Sequence, residues 1–233
     1  MKILVACEES QTVCKAFRAK GHEAYSCDIQ DCSGGHPEWH IKGDVLPLIN
    51  GNTEFTTCDG TVHEIECKWD MLIAHPPCTY LSGATTRHLS LRCTPGEKVV
   101  DRFWKLAESA VIFMQFALAD CDKICLENPQ GFMSRLWRKP DQTIHPYYFA
   151  DSKNDVENYQ KKRTCFWLKG LLPLKRISDL PPPEPLGYTK SGKPINFIEA
   201  HGKINGIMHR GNSAAARSKT FPGIASAMAD QWG

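Results

Sequence analysis

Long apolar runs are missing from this chain of 233 residues. No stretch is long enough to span a bilayer, so no membrane partner is expected. The opening "MKILVACEES" has a short apolar run and then acidic residues. That pattern suits a first β-strand better than a secretion signal, and it points to the cytoplasm. Paired cysteines at C-x-x-C spacing are also missing, although there are eleven cysteines. Cys121 and Cys125 stand four apart across the start of an apparent strand, which suits neither a zinc knuckle nor a redox motif. Most of the thiols are therefore expected to be reduced, buried small hydrophobes. His36 and His40 are four apart, but Pro37 interrupts a helix there and no acidic residue stands out as a third ligand. No metal site is expected. Repeats and low-complexity tails are absent too. Acidic residues are scarce in the second half. Residues 1–130 hold 12 Lys+Arg against 18 Asp+Glu, and residues 131–233 hold 16 against 8. A basic half on an acidic one points to a polyanion partner or to a solvated basic surface.

What is present reads as alternating strands and helices. "KILVAC" is a buried strand, and "SQTVCKAFRAKG" a helix with Val13, Ala16 and Phe17 on one face and Gly21 as its stop. "EAYSCDI" is a second strand ending at Asp28, "TEFTTCDGTVHEIEC" a hairpin turning at Asp59-Gly60, and "WDMLIAH" another buried strand. The longest helical pattern is "GEKVVDRFWKLAESAVIFMQFALAD", with Val99, Phe103, Leu106, Ala110, Phe113 and Ala117 as its apolar stripe. "KICLENP" is a further strand. "IHPYYFAD" and "RTCFWLKG" read as two antiparallel edge strands, and "PGIASAMADQW" as a closing helix with proline in its first turn. This alternation indicates an α/β fold with a mostly parallel sheet, helices on both faces and an antiparallel edge hairpin. In such sheets ligands bind beyond the carboxyl ends of the strands. Asp28, Pro76 to Cys78, and Glu127 to Pro129 all follow strands, so they are expected at one rim.

Three residues stand out chemically. Cys78 follows two prolines, which fix φ and remove two backbone donors. A thiolate adds well to electron-poor carbon because part of it ionises near neutral pH. Glu127 ends an apolar strand, where a carboxyl can have a raised pKa and give a proton to a ring nitrogen. Arg163 enters a strand within three consecutive basic residues and can orient a phosphate or a base carbonyl. Each also has a plain structural reading: a core thiol, a turn-capping carboxylate, and a charged edge strand. Trp137, Tyr147, Tyr148 and Trp167 can stack on bases, though such residues are more often core.

"AHPPCTYLS" resembles the Pro-Pro-Cys motif of DNA cytosine-5 methyltransferases, and "LENP" their Glu-Asn-Val motif. "KKRTCFWLKG" is similar to their Gln-x-Arg-x-Arg strand, with Lys161 and Arg163 at the arginine positions. "ILVACEESQTVCKAFRAKGHEAYSCDI" takes the place of the first cofactor motif, without its glycines. "IKGDVL" resembles the next motif and "GIASAMADQWG" the last. The order holds from end to end, and the chain resembles the compact group encoded by phages and prophages.

The resemblance implies a Rossmann-like class I methyltransferase fold. Residues 1–170 would be the catalytic and cofactor-binding part, 171–212 a small variable recognition segment, and 213–233 a helix packing back. It implies S-adenosylmethionine bound by Cys7, Glu8, Glu9, Ser10, Gln11, Asp28, Ile29, Asp44, Val45 and Pro76. Asp28 would take the ribose hydroxyls and Asp44 would face the adenine. It implies a DNA cytosine flipped out of the duplex, with Cys78, Glu127 and Arg163 catalytic. Pro77, Thr79, Ser82, Asn128, Lys161, Lys190, Lys193 and Arg210 would meet the substrate. Lys190, Lys193, Lys203, His209 and Arg210 fall in the short 171–212 segment. That length suits phosphate contacts and short or relaxed sequence recognition. A monomer in the cytoplasm of a bacterial host is expected. Two other readings fit the same residues: C5 modification of RNA or of a free pyrimidine nucleotide, and a catalytically silent DNA-binding relative.

Overall fold

A computed structural model of the protein describes residues 1–197, 202–204, 207–209 and 220–233. The strands are β1 (Lys2–Ala6), β2 (Glu23–Asp28), β3 (His40–Lys42), β4 (Thr53–Thr56), β5 (Val62–Ile65), β6 (Met71–Ala74), β7 (Ile124–Pro129), β8 (Gln142–Ile144) and β9 (Thr164–Lys169). The central sheet has seven strands in the order β3-β2-β1-β6-β7-β9-β8. β3, β2, β1, β6 and β7 are parallel, and β9 runs antiparallel to both its neighbours. β4 and β5 form a separate hairpin. Strand order reverses between β1 and β6. Their carboxyl ends open a crevice, the usual ligand position in a doubly wound sheet.

Alternation along the strands divides the core into two layers. Leu4, Ala6, Leu72 and Ala74 pack with Phe55, Leu106, Phe113 and Phe116. That layer lies under α2 (Gly96–Ala117) and the β4–β5 hairpin. Ile3, Val5, Met71 and Ile73 face the other way, onto Val13, Phe17, Ile224 and Met228. Those residues come from α1 (Thr12–Ala19) and from the closing helix, Pro222–Trp232. Each large aliphatic or aromatic side chain so buried contributes about 1.5–3 kcal/mol. The closing helix is pinned at its end, where the Trp232 indole donates to the Leu172 carbonyl at 2.9 Å. Gly21 sits at φ 83 just past α1, the left-handed stop expected of it. Helices therefore cover both faces of a mostly parallel sheet.

Three expectations about elements change. β9 is not an edge strand, because it inserts between β7 and β8. Only Ile144 of "IHPYYFAD" is in a strand, and Pro146–Phe149 form a 3-10 turn. Pro146 has no N–H for the ladder, so pairing stops before it. In α2 the buried residues are Val99, Leu106, Phe113 and Phe116, whereas Phe103 is 53% exposed. The helix meets the sheet along a seven-residue step, and Phe103 falls outside that seam. Trp167 and Tyr147 are buried, and Trp137 is exposed. No described helix is long and apolar enough to cross a membrane.

Candidate active site

A cavity of about 470 Å3 lies beyond the carboxyl ends of β1, β2, β6 and β7. Fourteen of the expected site residues line it: Cys7, Glu8, Glu9, Ser10, Asp28, Ile29, Asp44, Val45, Pro76, Pro77, Cys78, Thr79, Glu127 and Asn128. Ile112 and Phe116 of α2 supply an apolar wall. The volume lies in the usual range for small-molecule pockets.

The cysteine segment is tied down on two sides. The Asn128 side-chain amide donates to the Pro76 carbonyl at 2.7 Å, so this residue clamps the two prolines onto β7. After the cysteine, Leu81 and Ser82 donate their N–H groups back to the Cys78 carbonyl at 3.1 and 2.9 Å. Ser82 then pairs with Gly131 in an isolated bridge. A Cβ on Gly131 would lie 1.9 Å from the Leu81 carbonyl oxygen, so only glycine allows this approach. Burial pushes the Cys78 thiol up, the Glu127 charge adds to this, and Lys162 pulls it down. The net direction is up. The resting group is a thiol at neutral pH, not the partly ionised nucleophile expected from the sequence.

Glu127 lies within β7 and faces His75 at the end of β6. Its Oε2 is 3.2 Å from His75 Nδ1, and the two side chains are only 12% and 9% exposed. Burial alone pushes the Glu127 carboxyl up. The hydrogen bond from His75 and the positive charge of Lys162 outweigh it, and the net direction is down. This corrects the expectation of a raised value. His75 moves the other way: burial pushes it down, but Glu127 and then Glu8 raise it further. A buried, opposite-charge pair thus forms the cavity floor. His75 Nε2 is buried with no described partner. Thr220, just before the closing helix, brings its Oγ1 to 3.5 Å from His75 Nδ1.

At the other end the chain turns without glycine. Cys7 and Gln11 take φ of 60° and 56°, the left-handed region that glycine usually occupies. Glu8 explains how the turn holds. Its Oε1 accepts from the Val13 N–H at 2.6 Å and its Oε2 from the Cys14 N–H at 3.2 Å. The carboxylate satisfies orphan amides at the start of α1. Burial raises its pKa, against the charge of His75 and the two amide bonds. Asp28 closes β2 and accepts from the Gln30 N–H at 2.9 Å. Asp44 accepts from the Leu46 N–H at 3.0 Å. This end therefore offers two carboxylates beside Cys7, Ile29 and Val45, which suits a ligand with hydroxyls and a positive charge.

The remaining expected residues lie elsewhere. Gln11 is fully buried and bonds the His36 backbone through both ends of its amide, at 2.8 and 3.0 Å, so it braces the loop. His36 stacks on Trp39 at 3.8 Å, and His40 bonds Ser26 at 2.9 Å. Lys161 does not line the cavity, and Arg163 lines a second one, with its guanidinium on Gln130 Oε1. Lys162 faces the first cavity. Side chains alternate along extended backbone, so a one-residue shift in register exchanges the two sets. Gln160 and Thr164 are buried on either side of Lys162, which gives the spacing Gln160-x-Lys162-x-Thr164. Lys190 and Lys193 are exposed on a small hairpin, β10 (Gly187–Tyr188) with β11 (Pro194–Ile195), and line neither cavity. Arg210 lies outside the described residues, as do the side chains of Lys203 and His209.

Sequence reasoning missed His75 and Lys162. The first was signalled by a histidine wedged between an apolar strand and two prolines. The second was signalled by the glutamine two positions before it. No family model matches the chain, and no curated protein matches it significantly.

Proposed function

We propose that this protein is an S-adenosylmethionine-dependent methyltransferase acting at C5 of cytosine in DNA, on a class I methyltransferase fold. The observation that carries the proposal is the shared cavity. A cysteine and a glutamate from adjacent strand ends face one space, and its far end offers Asp28 and Asp44. The sheet order supports it as well. Counted among the sheet strands alone, the first five lie in the order 3-2-1-4-5, as in dinucleotide-binding folds.

In this reading Cys78 Sγ bonds to C6 of the flipped base as its thiol proton passes to water. Glu127 meets N3. The proton held between Glu127 and His75 passes to N3, which neutralises the charge that thiol addition puts on the ring. Bound at Cys7, Asp28 and Asp44, S-adenosylmethionine would supply an electrophilic methyl group. Carbon C5 would take the methyl and lose its proton to water. The N3 proton returns to the Glu127–His75 pair, and the S–C6 bond breaks to release Cys78, which regains a proton from water. Asn128 holds the nucleophile's loop in register throughout. Lys162 stabilises negative charge in the cavity, whereas Arg163, expected to orient a phosphate or a base carbonyl, lines the second one. Carboxylates near a sulfonium are favourable, so the glycine-free first turn suits this cofactor.

The test is methyl incorporation from labelled cofactor into duplexes containing cytosine. Cys78→Ala and Glu127→Gln are expected to cut it by about 10²–10⁴-fold or more. Undiminished transfer in Cys78→Ala would contradict the reading.

A further inference from the structure

The second cavity, of about 960 Å3, lies on the other side of the Pro129–Gly131 segment. Pro129 lines the first cavity, whereas Gln130 and Gly131 line the second, so the two share that stretch as a wall. Their charges are opposite. The first is lined by Glu8, Glu9, Asp28, Asp44 and Glu127 against Lys162 and His75. The second is lined by Arg135, Lys139 and Arg163, with no carboxylate among its lining residues. No ion pair engages any of these three among the described residues. Concentrating three cations without a counter-charge costs stability through self-repulsion, which an anionic ligand would offset.

Neutral groups in the same cavity point the same way. Gln130, Ser134, Thr143 and Tyr148 line the same cavity and carry no charge that would oppose an anion. Burial and then the charges of Arg163 and Lys161 push the His145 pKa down, against a hydrogen bond with the Lys162 backbone. Hydroxyls and a carboxamide beside three cations are groups that can donate to a phosphate oxygen.

We infer that this cavity is a phosphodiester subsite, holding the DNA backbone beside the nucleotide whose base enters the first cavity. The inference rests on the proposed function for the identity of that base. It relocates the polyanion contact from the 171–212 segment to the mouth of β9. Arg163, held by Gln130 on the shared wall, would link backbone binding to the position of the Cys78 loop through the Ser82–Gly131 bridge. Contacts of this kind set position and register and carry no sequence information.

The experiment measures the affinity of the full chain for a cytosine-containing duplex by fluorescence anisotropy between 50 and about 300 mM salt. Wild type is compared with Arg135→Ala, Lys139→Ala, their double variant, Arg163→Ala, and a Lys190→Ala/Lys193→Ala control. Thermal midpoints establish that each variant is folded, and Lys139→Glu serves as a second probe of the same wall. Each single cavity variant is expected to reduce the slope of log affinity against log salt by about 0.9, and the double by about 1.8, with the hairpin control unmoved. Unchanged slopes in the cavity variants would overturn the inference, as would tighter binding of an RNA of the same sequence through the same residues. Trapping of a Cys78 adduct is scored separately. A reduced slope without any adduct would leave the subsite standing and sink the methyltransferase reading. An adduct with unchanged slopes would do the reverse.

Discussion

The Cys78 thiol and the Glu127 carboxylate are held in opposite protonation states by the same few neighbours. Burial works against charge on both. Glu127 adds to that effect at Cys78, whereas His75 and Lys162 reverse it at Glu127. A raised thiol pKa means that the thiolate appears only at higher pH than for an exposed cysteine. Alkylation at neutral pH, followed by peptide mass spectrometry, is expected to modify exposed Cys58, Cys67 and Cys93 before Cys78. The Cys78 rate should still be rising with pH well above neutral. His75 acts as a positioning residue for Glu127. In His75→Asn only Lys162 would oppose burial, so the Glu127 carboxyl moves up. Isotope-edited infrared spectra should show its protonated band persisting to higher pH than in wild type. Methyl transfer should fall by about 10²-fold. An unmoved band would mean that Lys162 alone sets the charge.

At the scale of elements, the site depends on how two loops meet. The segment after Cys78 and the segment after β7 touch at Ser82 and Gly131, where no side chain fits. Gly131→Ala is expected to cost about 1–3 kcal/mol in urea unfolding, the scale of other overpacking substitutions. It should also loosen Cys78, seen as faster alkylation. The strands that end at Asp28, lead into the Cys78 segment and carry Glu127 were legible from short apolar runs ending in polar residues, and their common rim followed from parallel connectivity. β9 was legible as a strand but not as an insertion, because pairing partners leave no local mark on a sequence. Lys162 was hidden for a related reason. Three consecutive basic residues look alike, and only the pleat decides which one points into the cavity. Nor could the first turn be anticipated from its lack of glycine. Cys7 and Gln11 adopt the left-handed conformation themselves, braced by Glu8 and by the Gln11 amide.

Across the whole molecule, the uneven charge of the sequence becomes two adjoining cavities of opposite sign. The acidic one draws on β1, β2 and β3, which come from the acidic half of the chain. The cations of the basic one, Arg135, Lys139 and Arg163, all come from residues 131–233. The sheet reversal at β1 and β6 sets the acidic cavity between them, and α2 and the closing helix hold the layers on either face. The account stands or falls on whether Cys78 bonds to a pyrimidine. Intact-mass analysis of the full chain, incubated with S-adenosylmethionine and a duplex containing 5-fluorocytosine, measures this directly. The fluorine at C5 blocks the final elimination, so the expected product is a stable one-to-one adduct carrying a transferred methyl group and mapping to Cys78. Cys78→Ser should give none. Unmodified protein after prolonged incubation across several duplex sequences, or an adduct at another cysteine, would contradict the account.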